Sequence, residues 1–141
     1  MSIVVWDGKT LAVDRSSTDG ATIWEVNKLR VFENFGLTGV GPAADVGRLT
    51  DWYLSGYHTE RFPYGASHSR LLVCRNGKLF EYNNSALPTI YDHNQKVAFG
   101  AGKDFAYGAL AMGATAAQAV SIACRYSTSC GHGVDTYESM E

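Results

Sequence analysis

No stretch of this sequence approaches the ~20 consecutive apolar residues that a membrane-crossing helix needs, so no transmembrane segment is expected. The opening Met-Ser-Ile-Val-Val-Trp-Asp-Gly has no basic residue ahead of its apolar run and turns polar at Asp7, unlike a secretory signal peptide. Cysteine is sparse: Cys74, Cys124 and Cys130 are odd in number and lack Cys-x-x-Cys spacing. A reduced, cytoplasmic setting follows, without a metal knuckle. His58, His68, His93 and His132 are scattered, with no two at ligand spacing, so neither a metal nor another cofactor is expected. A Cys130–His132 nucleophile pair is disfavoured, because residues two apart on a turn rarely face each other. An excess of one charge sign is missing too. The 12 basic and 14 acidic residues are interspersed and leave a net charge of −2, which argues against a nucleic-acid groove. Proline is limited to 3 residues against 15 dispersed glycines, a balance that suggests tight turns rather than a flexible linker.

What is present is an ordinary globular composition, 45% hydrophobic and 18% charged, over a length that suits a single domain, 1–141. Apolar runs on either side of Asp7-Gly8 predict a hairpin, as do Leu71–Cys74 and Leu79–Tyr82 around Asn76-Gly77. Ile23–Val26, Leu29–Phe32, Leu37–Val40, Leu87–Tyr91, Val97–Phe99 and Val134–Tyr137 read as further strands, with a polar turn over 15–22. Pro42 suits a first helical position, and Val46, Leu49, Tyr53 and Leu54 repeat at helical spacing behind it, predicting a helix over 43–55. A second helix is expected over 103–112, closed by Gly113. A third, 116–126, opens on a Thr115/Gln118 capping box. Strands in hairpins with grouped helices point to the α+β class rather than a parallel sheet. Gly100-Ala101-Gly102-Lys103-Asp104 lacks the spacing and the Ser/Thr of a phosphate loop, so it reads as close sheet–helix packing. Trp52, Tyr53 and Tyr57 read as core or subunit contacts.

Three segments, in order, carry a resemblance. Asp7-Gly8-Lys9-Thr10-Leu11-Ala12-Val13-Asp14-Arg15 is similar to a stretch near the start of proteasome β-type subunits. Val26-Asn27-Lys28-Leu29 is similar to the lysine-bearing strand of those proteins. The C-terminal half resembles theirs through Ala98-Phe99-Gly100-Ala101-Gly102, Tyr107-Gly108-Ala109-Leu110, Gly113-Ala114-Thr115 and Gly133-Val134-Asp135. Together they span roughly residues 2–137 and resemble the proteasome β-subunit and HslV family of N-terminal-nucleophile hydrolases. The chain is most similar to small bacterial and phage-type relatives of HslV.

The resemblance implies a four-layer α-β-β-α sandwich with the N-terminus at the mouth of a cleft between two sheets. It implies that Ser2, exposed by loss of Met1, is the nucleophile and that its α-amine is the base. Asp14 matches the acid, Lys28 the lysine that lowers the pKa of the nucleophile, and Gly41 the oxyanion glycine. An α-amine titrates near ~7.7–8.0, so a useful fraction can accept the hydroxyl proton at neutral pH. Three positions differ from the pattern: Ser2 replaces threonine, Ala101 replaces a serine, and Ser127 and Cys130 stand where an acid and a serine are usual. Two functions remain open. One is a threonine/serine-type peptidase working in a homo-oligomer on peptide or protein substrates, with an ATPase partner unassigned. The other is a catalytically silent binding or regulatory protein of bacterial or phage origin. The helix carrying Trp52 and Tyr53, with the connection over 57–69, is the expected subunit contact.

Overall fold

The computed structural model describes residues 3–18, 22–65, 68–127 and 130–138. The chain opens with strands β1 (Ile3–Trp6), β2 (Thr10–Asp14), β3 (Ser16–Thr18), β4 (Ile23–Glu25), β5 (Arg30–Val31) and β6 (Gly36–Val40). Helix α1 (Ala43–Leu54) and a 3₁₀ turn (Thr59–Arg61) follow, then β7 (Arg70–Arg75), β8 (Lys78–Tyr82), β9 (Thr89–Tyr91) and β10 (Val97–Gly100). Helices α2 (Lys103–Ala111) and α3 (Ala116–Tyr126) precede the last strand, β11 (Val134–Glu138). Every pairing among the described strands is antiparallel, in sheets ordered β10-β1-β2-β11, β3-β4 and β5-β6-β7-β8-β9.

The Asp7-Gly8 turn has two functions. Asp7 Oδ1 accepts from the N–H groups of Lys9 (3.0 Å) and Thr10 (2.8 Å), which closes the β1–β2 hairpin. Asp7 Oδ2 accepts from the N–H of Ala116 at 2.8 Å, placing a carboxylate on an orphan donor at the start of α3. Gly8 has φ +98°, and a Cβ there would fall 2.2 Å from the carbonyl oxygen of His93, so only glycine fits. The expected capping box on α3 is present. Gln118 N–H donates to Thr115 Oγ1 at 3.2 Å, and Thr115 N–H donates to Gln118 Oε1 at 2.9 Å.

Strand alternation sorts the apolar residues onto two faces. Ile3, Val5 and Ala12 pack with Ala106, Leu110, Ala119, Val120 and Ala123 of α2 and α3. The small alanines let these helices lie close to the sheet. Val4, Trp6, Leu11 and Val13, on the opposite face, pack with Leu72, Cys74 and Leu79 of the five-stranded sheet. The other side of that sheet offers Leu37, Leu71, Val73 and Tyr82 to Leu49, Trp52 and Tyr53 of α1.

Several boundaries differ from the sequence reading. Residues 16–18 are a strand rather than a turn, pairing with Ile23–Glu25. Leu29–Phe32 shrinks to Arg30–Val31, because Phe32 N–H turns back to the carbonyl of Phe35 (2.8 Å) and their rings stack at 4.7 Å. Leu87–Tyr91 starts only at Thr89, since Pro88 has no N–H to give a ladder. Pro42 is the residue before α1 rather than its first; its carbonyl accepts from Val46 N–H at 3.0 Å. The buried face of α1 is Leu49, Thr50, Trp52 and Tyr53, while Leu54 is 41% exposed. Trp52 meets Phe62 and Tyr82 edge-on, at 4.9 and 5.2 Å between centroids, and its Nε1–H donates to the carbonyl of His58. Trp52 and Tyr53 are therefore interior side chains, the core alternative of the sequence reading.

Candidate active site

Asp14 ends β2, and its side chain is completely buried. A carboxylate is tolerated there only if its lone pairs are filled, and four donors fill them. Oδ1 accepts from Ile3 N–H (3.1 Å) and from Lys28 Nζ (2.8 Å). Oδ2 accepts from Ser16 N–H (3.2 Å) and Gly131 N–H (3.3 Å). Lys28, with its side chain 16% exposed, also donates to the carbonyl of Ser16. One acid thus fastens the start of β1, the start of β3, the lysine and the approach to β11. Asp14 and Lys28, 14 residues apart in the chain, are brought into direct contact.

A cleft of about 1080 Å³ opens above this pair, lined by Lys28, Thr38, Gly41, Val46, Thr50 and Ala101 among others. A second hollow of about 480 Å³ shares Val40, His68 and Gly100 with it. Lys28 and Gly41 therefore face one cavity, with Asp14 behind the lysine. Thr38 Oγ1 is buried in the wall and has no hydrogen-bond partner among the described residues, so it is a spare donor or acceptor that the sequence reading missed. Its signal is visible only in register: Leu37 faces α1, which turns Thr38 to the opposite side of the strand. Ala101 lines the cleft with a methyl group where the resemblance places a hydroxyl. Ser2 lies outside the described residues.

Gly41 is required by backbone geometry. Its φ is +122°, and a Cβ would fall 2.4 Å from Ser69 Oγ and 2.9 Å from the carbonyl of His68. Gly41→Ala is therefore expected to cost about 2–3 kcal/mol, from left-handed strain together with overpacking. Urea unfolding checks this; a midpoint equal to that of the wild type contradicts it.

Behind Asp14 sits a group of residues that the sequence reading did not assemble. Ligand atoms of Asp14, Cys124 and Cys130 all lie within 4.8 Å of one another. The two cysteines are six positions apart, Cys124 in α3 and Cys130 just before β11. The partner of Cys130 is thus Cys124, and not His132. Nearby, Arg15 Nη1 grips both carboxylate oxygens of Asp135, at 2.8 and 3.0 Å, and the guanidinium also reaches Glu25. These contacts tie the end of β2 to β11 and β4.

No family model and no curated protein sequence matches the chain, but solved structures do. The crystal structure of eukaryotic HslV from Trypanosoma brucei superposes with a TM-score of 0.65, covering 97% of this chain and 98% of that one at 19% identity. The chain has the fold of HslV. BPH of Thiobacillus denitrificans in complex with epoxomicin matches with a TM-score of 0.69 over 99% of both chains, at 16% identity. An Anbu (Gly-1) mutant from Hyphomicrobium sp. strain MC1 matches with a TM-score of 0.71, 98% of this chain covering 82% of that one at 16% identity. The described residues are mixed α/β with antiparallel sheets, as the pattern of hairpins and grouped helices predicts. None of the helices among the described residues is long and apolar enough to cross a membrane.

Proposed function

We propose that this protein is an N-terminal-nucleophile amide hydrolase, a peptidase of the threonine/serine type, built as a four-layer α-β-β-α sandwich. The observation that carries the reading is the buried Asp14–Lys28 pair. It holds an ammonium at the floor of a large cleft, and Asp14 also binds the N–H of Ile3, the residue next to Ser2. In this reading Met1 is removed, the Ser2 hydroxyl attacks an amide carbonyl, and the Ser2 α-amine takes the proton. Lys28 stabilises the charge that develops on the nucleophile, and a backbone N–H at Gly41 stabilises the oxyanion. The chain works as a homo-oligomer on peptide or protein substrates in the cytoplasm, with exposed positions of α1 and the 57–69 connection as the contact. Light scattering that gives the mass of a monomer at micromolar concentration counts against that assembly.

The hydrolase reading is tested on natively expressed protein by intact mass, followed by hydrolysis of a short fluorogenic peptide across pH. The base must be unprotonated, so turnover rises as pH increases through the α-amine pKa. A neighbouring ammonium disfavours the charged amine, which puts that rise below the ordinary ~7.7–8.0. Protein that lacks Met1 and yet turns over no peptide overturns this reading. The alternative is then a silent binding or regulatory protein, which the methyl group of Ala101 in the cleft favours.

A further inference from the structure

Cys124 and Cys130 have no place in the mechanism above, yet the fold brings them together in a defined setting. Cys124 lies in the last turn of α3 and is partly buried, while Cys130 is 8% exposed and packs in the cluster under the helices. A Cβ on Gly102 would come within 3.8 Å of Cys130 Sγ, so that sulfur fills a niche between α2 and α3. The next residue, Gly131, gives its N–H to Asp14 Oδ2 (3.3 Å), and its carbonyl accepts from Arg15 N–H (3.0 Å). Whatever links Cys130 to α3 therefore also restrains one of the four donors on Asp14.

A soft metal ion and a disulfide are the two chemistries open to paired thiols. A metal would need a third ligand. Asp14 is the only other ligand-bearing residue in the group, and its oxygens already accept four hydrogen bonds, one of them from a lysine ammonium. Recruiting it would unmake the site and set a cation beside Lys28. A disulfide needs only the two sulfurs, which already lie within 4.8 Å of each other.

We propose that Cys124 and Cys130 are an oxidation site, a dithiol that a peroxide converts to a disulfide joining the end of α3 to the segment that braces Asp14. Cys130 is the attacking sulfur. Its pKa is lowered by the interaction with Cys124, which outweighs the opposing effects of burial and the Asp14 carboxylate, while Cys124 is pushed up by that same interaction and by burial. The Cys130 thiolate attacks one peroxide oxygen and the O–O bond breaks. The leaving hydroxide takes up a proton as water, and Cys130 becomes a sulfenic acid. The Cys124 sulfur then displaces the sulfenic hydroxyl, forming the S–S bond, and its proton leaves with that hydroxyl as a second water. Two electrons pass from the sulfur pair to the peroxide.

Arg125 stands between the two cysteines, so trypsin separates them into peptides 104–125 and 126–141. After native protein is treated with hydrogen peroxide and its remaining thiols are alkylated, these peptides are expected as one linked species, split by dithiothreitol. Cys74, in the cluster between the sheets, is expected to be alkylated only after denaturation. In Cys124→Ser, peroxide with dimedone is expected to label Cys130. If that variant fails to fold, the linkage in the wild type still decides the matter. The proposal is overturned if the peptides run separately with both thiols intact or with sulfinic acid. It is equally overturned by a disulfide that appears only between chains, or by chelator-releasable zinc on the two thiols. None of these readouts depends on peptide hydrolysis, so the site stands or falls independently of the activity proposed above.

Discussion

Ser2→Ala is expected to reduce peptide hydrolysis to background, by a factor of at least ~10⁴, while leaving unfolding unchanged. Covalent catalysis divides amide cleavage into two easier steps, and without the hydroxyl no acyl-enzyme forms. The remaining oxyanion donors cannot replace it, because they stabilise a tetrahedral adduct that no longer has a nucleophile. The substitution removes a single hydroxyl oxygen and leaves the backbone as it is, so the loss is expected in the rate and not in the unfolding midpoint. Ser2→Thr keeps the hydroxyl and is expected to retain turnover. The measurement is a progress curve on a fluorogenic peptide, after mass spectrometry confirms the N-terminus of each variant. Hydrolysis that survives Ser2→Ala defeats the mechanism.

Lys28→Ala is expected to act on both rate and stability. For the rate, an ammonium aimed at a developing charge contributes as much as an oxyanion donor or a proton-transfer group, so a loss of about 10²–10⁴-fold follows. For stability, the variant leaves a fully buried carboxylate without its cation. Breaking a buried pair from one side costs about 3–5 kcal/mol. Here the lower end applies, because the N–H groups of Ile3, Ser16 and Gly131 still hold Asp14. For a domain of this length that corresponds to a fall of roughly 10 °C in Tm. Assays run well below the lowered midpoint, with circular dichroism as a check, separate the two effects. A rate within threefold of wild type in folded Lys28→Ala removes the lysine from the chemistry. A wild-type Tm shows that the buried pair does not stabilise the fold.

Turn chemistry and alternation were legible because they are local. Asp7-Gly8 and Asn76-Gly77 announced their hairpins through backbone conformations that few other residues adopt. The capping box at Thr115 announced α3 through two reciprocal hydrogen bonds within four residues. The contact between Asp14 and Lys28 was reached by resemblance, since nothing in local spacing makes an acid and a lysine meet. Errors clustered where a distant partner decides the outcome. Ser16–Thr18 looks like a polar turn until Ile23–Glu25 lies beside it. Leu54 looks like a core residue until the five-stranded sheet selects the neighbouring face of α1, leaving Leu54 41% exposed. Trp52 and Tyr53 suited a subunit interface as well as a core, and only the positions of Phe62 and Tyr82 settle them inside.

The sequence by itself determined the mixed α/β class with antiparallel hairpins, the three α-helices of the described residues and the order of motifs, because each of these depends on residues a few positions apart. Tertiary structure alone decided how Asp14 is satisfied, where Thr38 points, and that Cys124 and Cys130 share a niche. The first two depend on where β2, β6 and the approach to β11 meet, and the cysteines, though only six positions apart, on where the end of α3 lies against that approach. Their contacts arise from the closure of sheets and helices around three apolar clusters, and no local periodicity encodes them.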